Sequence, residues 1–104
     1  MRQAKKFTTN AEIAENMNNA FWQLAHLKTT NSRSLTSYAT VFETKDYYLL
    51  RSYGNFVACI GKRSRICYNA QARIEMPSEV VQEQIELFAK TYDASSMMVY
   101  VRYK

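Results

Sequence analysis

The sequence predicts one α+β domain over residues 1–104: a helix, a four-stranded antiparallel meander, a second helix and a final strand, with both helices packed on one sheet face. Three observations lead there. Residues 9–28 and 78–92 carry apolar side chains at spacings of three and four, the period of a helix that buries one stripe. Between them, residues 35–74 are rich in Thr, Tyr, Val, Phe and Ile, and short turn sequences divide them. At 104 residues, with 47% apolar residues, two glycines and one proline, the chain suffices for one core and is too poor in linker residues for disorder.

The first helix opens at Thr9-Asn10-Ala11-Glu12, a capping-box spacing in which the threonine hydroxyl and the glutamate satisfy each other's free amides. Ile13, Met17, Phe21, Leu24 and Leu27 form its stripe, and Trp22 stands at the stripe's edge. Residues 29–34 read as a loop. The first strand is expected from Leu35 to Glu43, the second from Tyr47 to Tyr53, the third from Phe56 to Ile60 and the fourth from Arg65 to Ile74. Turns at 44–46, Gly54-Asn55 and Gly61–Ser64 separate them. In the fourth strand Ile66, Tyr68, Ala70, Ala72 and Ile74 alternate with Arg65, Cys67, Asn69, Gln71 and Arg73, which predicts one buried and one open face. Ser78 is suited to cap a second helix whose stripe is Val81, Ile85, Phe88 and Tyr92. Met97, Val99, Val101 and Tyr103 alternate with their neighbours as a last strand.

The N-terminus is positively charged but leads into polar residues, so it does not read as a signal peptide. No apolar run approaches a membrane span of roughly 18 residues. A soluble, cytoplasmic protein with no membrane partner is expected, and its two cysteines, Cys59 and Cys67, are then reduced thiols. An even loop at the Gly61 turn sends these cysteines to opposite faces; an odd loop sets them on the same one.

Charge is sorted along the chain. The net charge is +5, yet residues 47–74 hold five bases and no acid, whereas residues 75–93 hold five acids and one base. Arg65, Arg73, Tyr100 and Arg102 fall on the expected open face, Lys62 and Arg63 on a hairpin tip, and Arg51 on the second strand. These seven residues are the expected partner-binding set. Bases interleaved with tyrosines suit either an acidic protein groove or single-stranded nucleic acid, whose phosphates need cations and whose bases stack on rings. On this assignment, alanine at Lys62, Arg63 and Arg65 removes function and spares the fold. Homodimerisation through an exposed strand is also compatible with the pattern.

The inventory for chemistry is thin. His26 is the only histidine and falls near a helix end, where a cation is favoured. Two cysteines and one distant histidine match no zinc spacing, and two glycines in turns leave none for a phosphate loop. The carboxylates are concentrated along the second helix at solvent spacing. Neither catalysis, a cofactor nor a metal is expected.

The stretch Leu50-Arg51-Ser52-Tyr53, with Asn55, Val57, Ala58 and then Ile66-Cys67-Tyr68, resembles a motif of small uncharacterised phage and prophage proteins. The resemblance covers about residues 38–92 and supplies no site residues. It implies a setting in which small proteins inhibit host machinery, including antiphage defence systems such as CRISPR-Cas. The function expected from residues and resemblance together is binding to a host protein or nucleoprotein complex in the host cytoplasm, with direct nucleic-acid binding as the alternative.

Overall fold

The computed structural model describes residues 7–8, 10–26, 31–70, 79–96 and 98–99. Its class is α+β, as the patterning predicts. In chain order the elements are β1 (Phe7–Thr8), α1 (Asn10–His26), β2 (Asn31–Thr36), β3 (Ala39–Glu43), β4 (Tyr47–Ser52), β5 (Asn55–Gly61), β6 (Ile66–Asn69), α2 (Glu79–Thr91), β7 (Ser95–Ser96) and β8 (Met98–Val99). The main sheet has six strands in the order β2-β3-β4-β5-β6-β7. Its first five strands form an antiparallel meander, and β7 joins β6 in parallel. Strands β1 and β8 make a separate parallel pair. Thr9, Ser78, Arg73, Tyr100, Arg102 and most of the last alternating stretch lie outside the described residues.

Two sequence expectations need correction. The expected first strand is a hairpin: β2 and β3 fold back on each other at Ser37-Tyr38, so much of the expected loop at 29–34 is strand. The turn contains no Gly, Pro, Asn or Asp; instead Tyr38 itself takes the left-handed conformation, with φ 62°.

The second correction concerns the layers. The helices cover opposite faces of the sheet. Ile13, Met17 and Ala20 of α1 pack on Leu49, Cys59, Tyr68 and Ala70. Ile85, Phe88 and Ala89 of α2 pack on Val41, Leu50, Ala58, Ile60 and Cys67 on the other side. Neighbours along a strand point opposite ways, so the pairs Leu49/Leu50, Cys59/Ile60 and Cys67/Tyr68 each serve both cores. The connection explains the placement of α2. It links β6 to the parallel β7, and such a crossover must lie across a sheet face. Cys67 and Asn69, expected on an open face, are instead under α2: Cys67 is fully buried and Asn69 donates to Gln82 at 3.1 Å.

Each helix also fastens a turn with a glutamine. Gln23 of α1 accepts hydrogen bonds from the buried Thr44 hydroxyl (2.8 Å) and the Asp46 amide (3.0 Å), holding the β3–β4 turn. Gln84 of α2 accepts from the Ser52 hydroxyl and donates to the Ser37 carbonyl at 3.1 Å, holding the opposite end of the sheet. Ser52 and Gln84 are both buried, and among the described residues no buried side-chain nitrogen or oxygen lacks a partner.

Candidate functional site

The basic residues singled out by sequence do not converge. Arg51 lies at the end of β4 next to the β4–β5 turn, whereas Lys62, Arg63 and Arg65 occupy the β5–β6 turn at the other end of the sheet. The seven residues of β5 separate the two groups by roughly 20 Å at the usual strand rise. Two of the three cations at that far end hold the fold. Lys62 Nζ donates to Glu43 Oε2 at 2.6 Å and sits 5.0 Å from the centre of the Tyr48 ring. That hydrogen bond is the main reason the Glu43 carboxyl is held below its usual range.

Arg65 closes the C-terminus of α2. That helix ends in a Schellman motif: the Asp93 amide donates to Lys90, the Ala94 amide donates to Ala89 at 2.8 Å, and Asp93 is left-handed at φ 54°. Arg65 Nη2 donates to the Tyr92 carbonyl at 2.7 Å and to the Asp93 carbonyl at 3.2 Å, placing a cation on the negative end of the helix dipole. Arg63 is exposed and makes no hydrogen bond or ion pair among the described residues. Alanine at all three positions therefore removes two sets of fold contacts as well as charge, so loss of function in that variant would not by itself assign the three residues to a partner.

The other end of the sheet has a different character. Tyr38, in the β2–β3 turn, and Tyr53, in the β4–β5 turn, stack face to face with centroids 5.0 Å apart and planes 15° from parallel. They are 73% and 54% exposed, so the stack lies on the surface. Both backbones are left-handed, with Tyr53 at φ 51° followed by Gly54 at 85°. Two positive φ values in a two-residue hairpin turn are the geometry that Asn-Gly fits best. A tyrosine there costs about 1–2 kcal/mol in backbone strain, as it does at position 38. Ring stacking returns about 0.5–1.5 kcal/mol for the pair, which is less than the two strains together.

The stack is anchored from beneath. The Tyr53 amide donates to the Tyr38 carbonyl at 2.9 Å, and the buried Ser52–Gln84–Ser37 linkage ties both turns to α2. Every residue of the Arg51-Ser52-Tyr53 stretch thus has a distinct place: Arg51 exposed beside the rings, Ser52 buried, Tyr53 in the stack. Tyr38, Thr40, Arg51, Tyr53 and Gly54 border one shallow depression. On the α2 side, Thr36, Ser37, Tyr53, Val80, Glu83, Gln84 and Leu87 border a groove. Val80 and Leu87 are 50% and 41% exposed, on a helix whose core-facing side buries Ile85 and Phe88. Neither tyrosine belongs to the set expected from sequence; the available signal was a tyrosine directly before the glycine of a two-residue turn.

The thiols are shut away. Ile60 pairs with Cys67 and Cys59 with Tyr68 across a four-residue turn, so Cys59 and Cys67 point to opposite faces and no disulfide joins them. Burial raises both thiol pKa values, that of Cys67 to about 12, which leaves almost no thiolate to act as a nucleophile near neutrality. His26 is exposed at the end of α1, stacked on the exposed Trp22 at 4.7 Å. Among the described residues no group of three His, Cys, Asp or Glu side chains is placed to hold a metal ion, and no helix is long and apolar enough to cross a membrane.

The chain matches no protein-family model, no curated protein and no solved structure.

Proposed function

We propose that this chain is a non-catalytic interaction protein that binds a larger macromolecular complex through its Tyr38–Tyr53 tip. With the phage-type resemblance of residues 50–53, the reading extends to inhibition of a host complex such as an antiphage defence system. The observation that carries the proposal is the exposed tyrosine stack itself. Two large rings stand in solvent on turns where their backbones are strained, held there by a buried polar linkage, and strain at a surface site that stability alone disfavours is a pointer to use. Tyrosine suits the task, since it covers much area with few rotatable bonds and is enriched among residues that dominate binding energy.

A protein partner fits better than nucleic acid. Only Arg51 stands beside the rings, Glu83 borders the adjoining groove, and the remaining described cations of the basic stretch lie at the far end, where Lys62 and Arg65 are already paired. Stacking rings with one nearby cation do support a weaker nucleic-acid reading. The test compares wild type with Tyr38→Ser/Tyr53→Asn in quantitative co-purification from host cells, with thermal unfolding as the check on folding. Loss of the enriched host proteins from a folded variant is expected. Retention of the same proteins at equal yield would remove the tip from consideration. Oligonucleotide binding that weakens steeply between roughly 50 and 200 mM salt and needs both tyrosines would favour nucleic acid instead.

A further inference from the structure

The groove beside the tip has a chemistry of its own. Its helix wall presents Val80 and Leu87, seven residues apart on the same side of α2 and therefore about 10 Å apart along the axis. Gln84, between them, has its amide already engaged by Ser52 and Ser37, so the floor offers an occupant little polar bonding. The facing wall is Thr36, Ser37 and Tyr53, none of them charged. Along the outer side of the apolar pair run Glu79, Glu83 and Glu86, all exposed, with Lys90 one turn further on. Arg51 does not compensate these acids, because Ser52 points to α2 and its strand neighbour therefore points to the other face.

We infer that this groove receives a basic amphipathic helix of the protein partner, about two to three turns long, with apolar side chains seated between Leu87, Val80 and Tyr53 and lysine or arginine facing Glu79, Glu83 and Glu86. This rests on the tip reading and names the chemistry that it would meet. Charge complementarity chooses the occupant. An apolar strip with carboxylates along one rim repels an acidic helix or a nucleic-acid backbone and attracts a basic one. The covered residues, Val80 and Leu87, are those that α2 leaves unburied within its own fold.

The experiment is a titration of isotope-labelled protein, followed by amide NMR shifts, with synthetic helical peptides of about 14 residues. One contains only Leu and Lys at the amphipathic period, a second has Glu in place of Lys, and a third has Ser in place of Leu. The Leu–Lys peptide is expected to shift amides at residues 36–37, 53, 80, 83, 84 and 87. Its binding should weaken severalfold between roughly 50 and 200 mM salt, by about tenfold in Val80→Ser/Leu87→Ser, and similarly in Glu83→Lys. Equal binding of the Leu–Glu peptide, shifts centred elsewhere, or no effect of Val80→Ser/Leu87→Ser overturns the inference. Tyr38→Ser separates it from the broader reading, since Tyr38 does not border the groove. If Tyr38→Ser loses the host partner but the Leu–Lys peptide never binds, the groove is wrong and the tip stands. If the peptide binds the groove while Tyr38→Ser retains every partner, the groove stands and the tip is wrong.

Discussion

Replacing Gln84 by leucine tests the linkage on which the tip rests. Gln84 accepts from the Ser52 hydroxyl and donates to the Ser37 carbonyl. Losing two hydrogen bonds costs about 2 kcal/mol net, and leaving the Ser52 hydroxyl buried at 1% exposure without a partner adds about 1–3 kcal/mol. The leucine offsets about 1–2 kcal/mol of this by burying apolar surface. The expected net loss is about 2 kcal/mol, which lowers the melting temperature by about 8–16 °C for a domain of this size. Ser52→Ala/Gln84→Leu removes the orphaned hydroxyl as well, so the double variant is expected to be more stable than Gln84→Leu alone. Urea unfolding of the four proteins, monitored by circular dichroism, completes a double-mutant cycle with an expected coupling of about 1–2 kcal/mol. Additive single effects, or Gln84→Leu within about 0.5 kcal/mol of wild type, refute the linkage.

Tyr53→Asn relieves a left-handed tyrosine in favour of the residue that best fits this turn, so it is expected to raise stability by about 0.5–1 kcal/mol in thermal unfolding while abolishing partner binding. Arg65→Ala should cost about 1 kcal/mol through loss of the α2 cap, whereas Arg63→Ala should stay within about 0.5 kcal/mol of wild type; equal effects would discredit the capping role. Glu43 has a folded-state pKa below its unfolded one, so its contribution is present above the unfolded value and lost as pH falls through the folded value. The gain is at most about 1 kcal/mol for a partly exposed pair. Stability measured from pH ~5 downward should therefore fall less steeply in Lys62→Met than in wild type, and parallel curves would contradict the pairing. An aromatic disulfide reagent should label the cysteines of the native protein at least about a thousandfold more slowly than in urea, because both thiols are fully buried and reaction waits on opening.

Much of the fold is legible in the sequence because local signals agree. The spacing of Ile13 and Met17, and of Ile85 and Phe88, identifies the two helices, although in α1 Ala20 is buried and the expected stripe residue Phe21 is 36% exposed. The strands at 47–52 and 55–61 fall within one residue of where alternation and the Gly54 turn place them at either end. The hairpin at Ser37-Tyr38 is hidden because its turn has no Gly, Pro, Asn or Asp, only a serine, and bends through a left-handed tyrosine. The two-sided burial has a signal of its own in the adjacent Leu49-Leu50 and the run Val57-Ala58-Cys59-Ile60, since continuous apolar residues mark a strand covered on both faces. The site is less legible. Charge along the chain shows which residues are basic, but register and helix ends decide that Lys62 and Arg65 are engaged while two stacked tyrosines stand exposed.

The tyrosines stand on turns, whereas the residues that hold the layers together stand on strands and helices. This division lets the exposed tip vary without repacking the core, within the residue types that a left-handed backbone tolerates. Other side chains at positions 38 and 53 meet no core packing, and Gly54 with the serine–glutamine fastening preserves the path of the chain beneath them. If the tip is where a partner docks, as proposed above, a handful of substitutions at two loops would suffice to change what it meets, with the folding problem solved once.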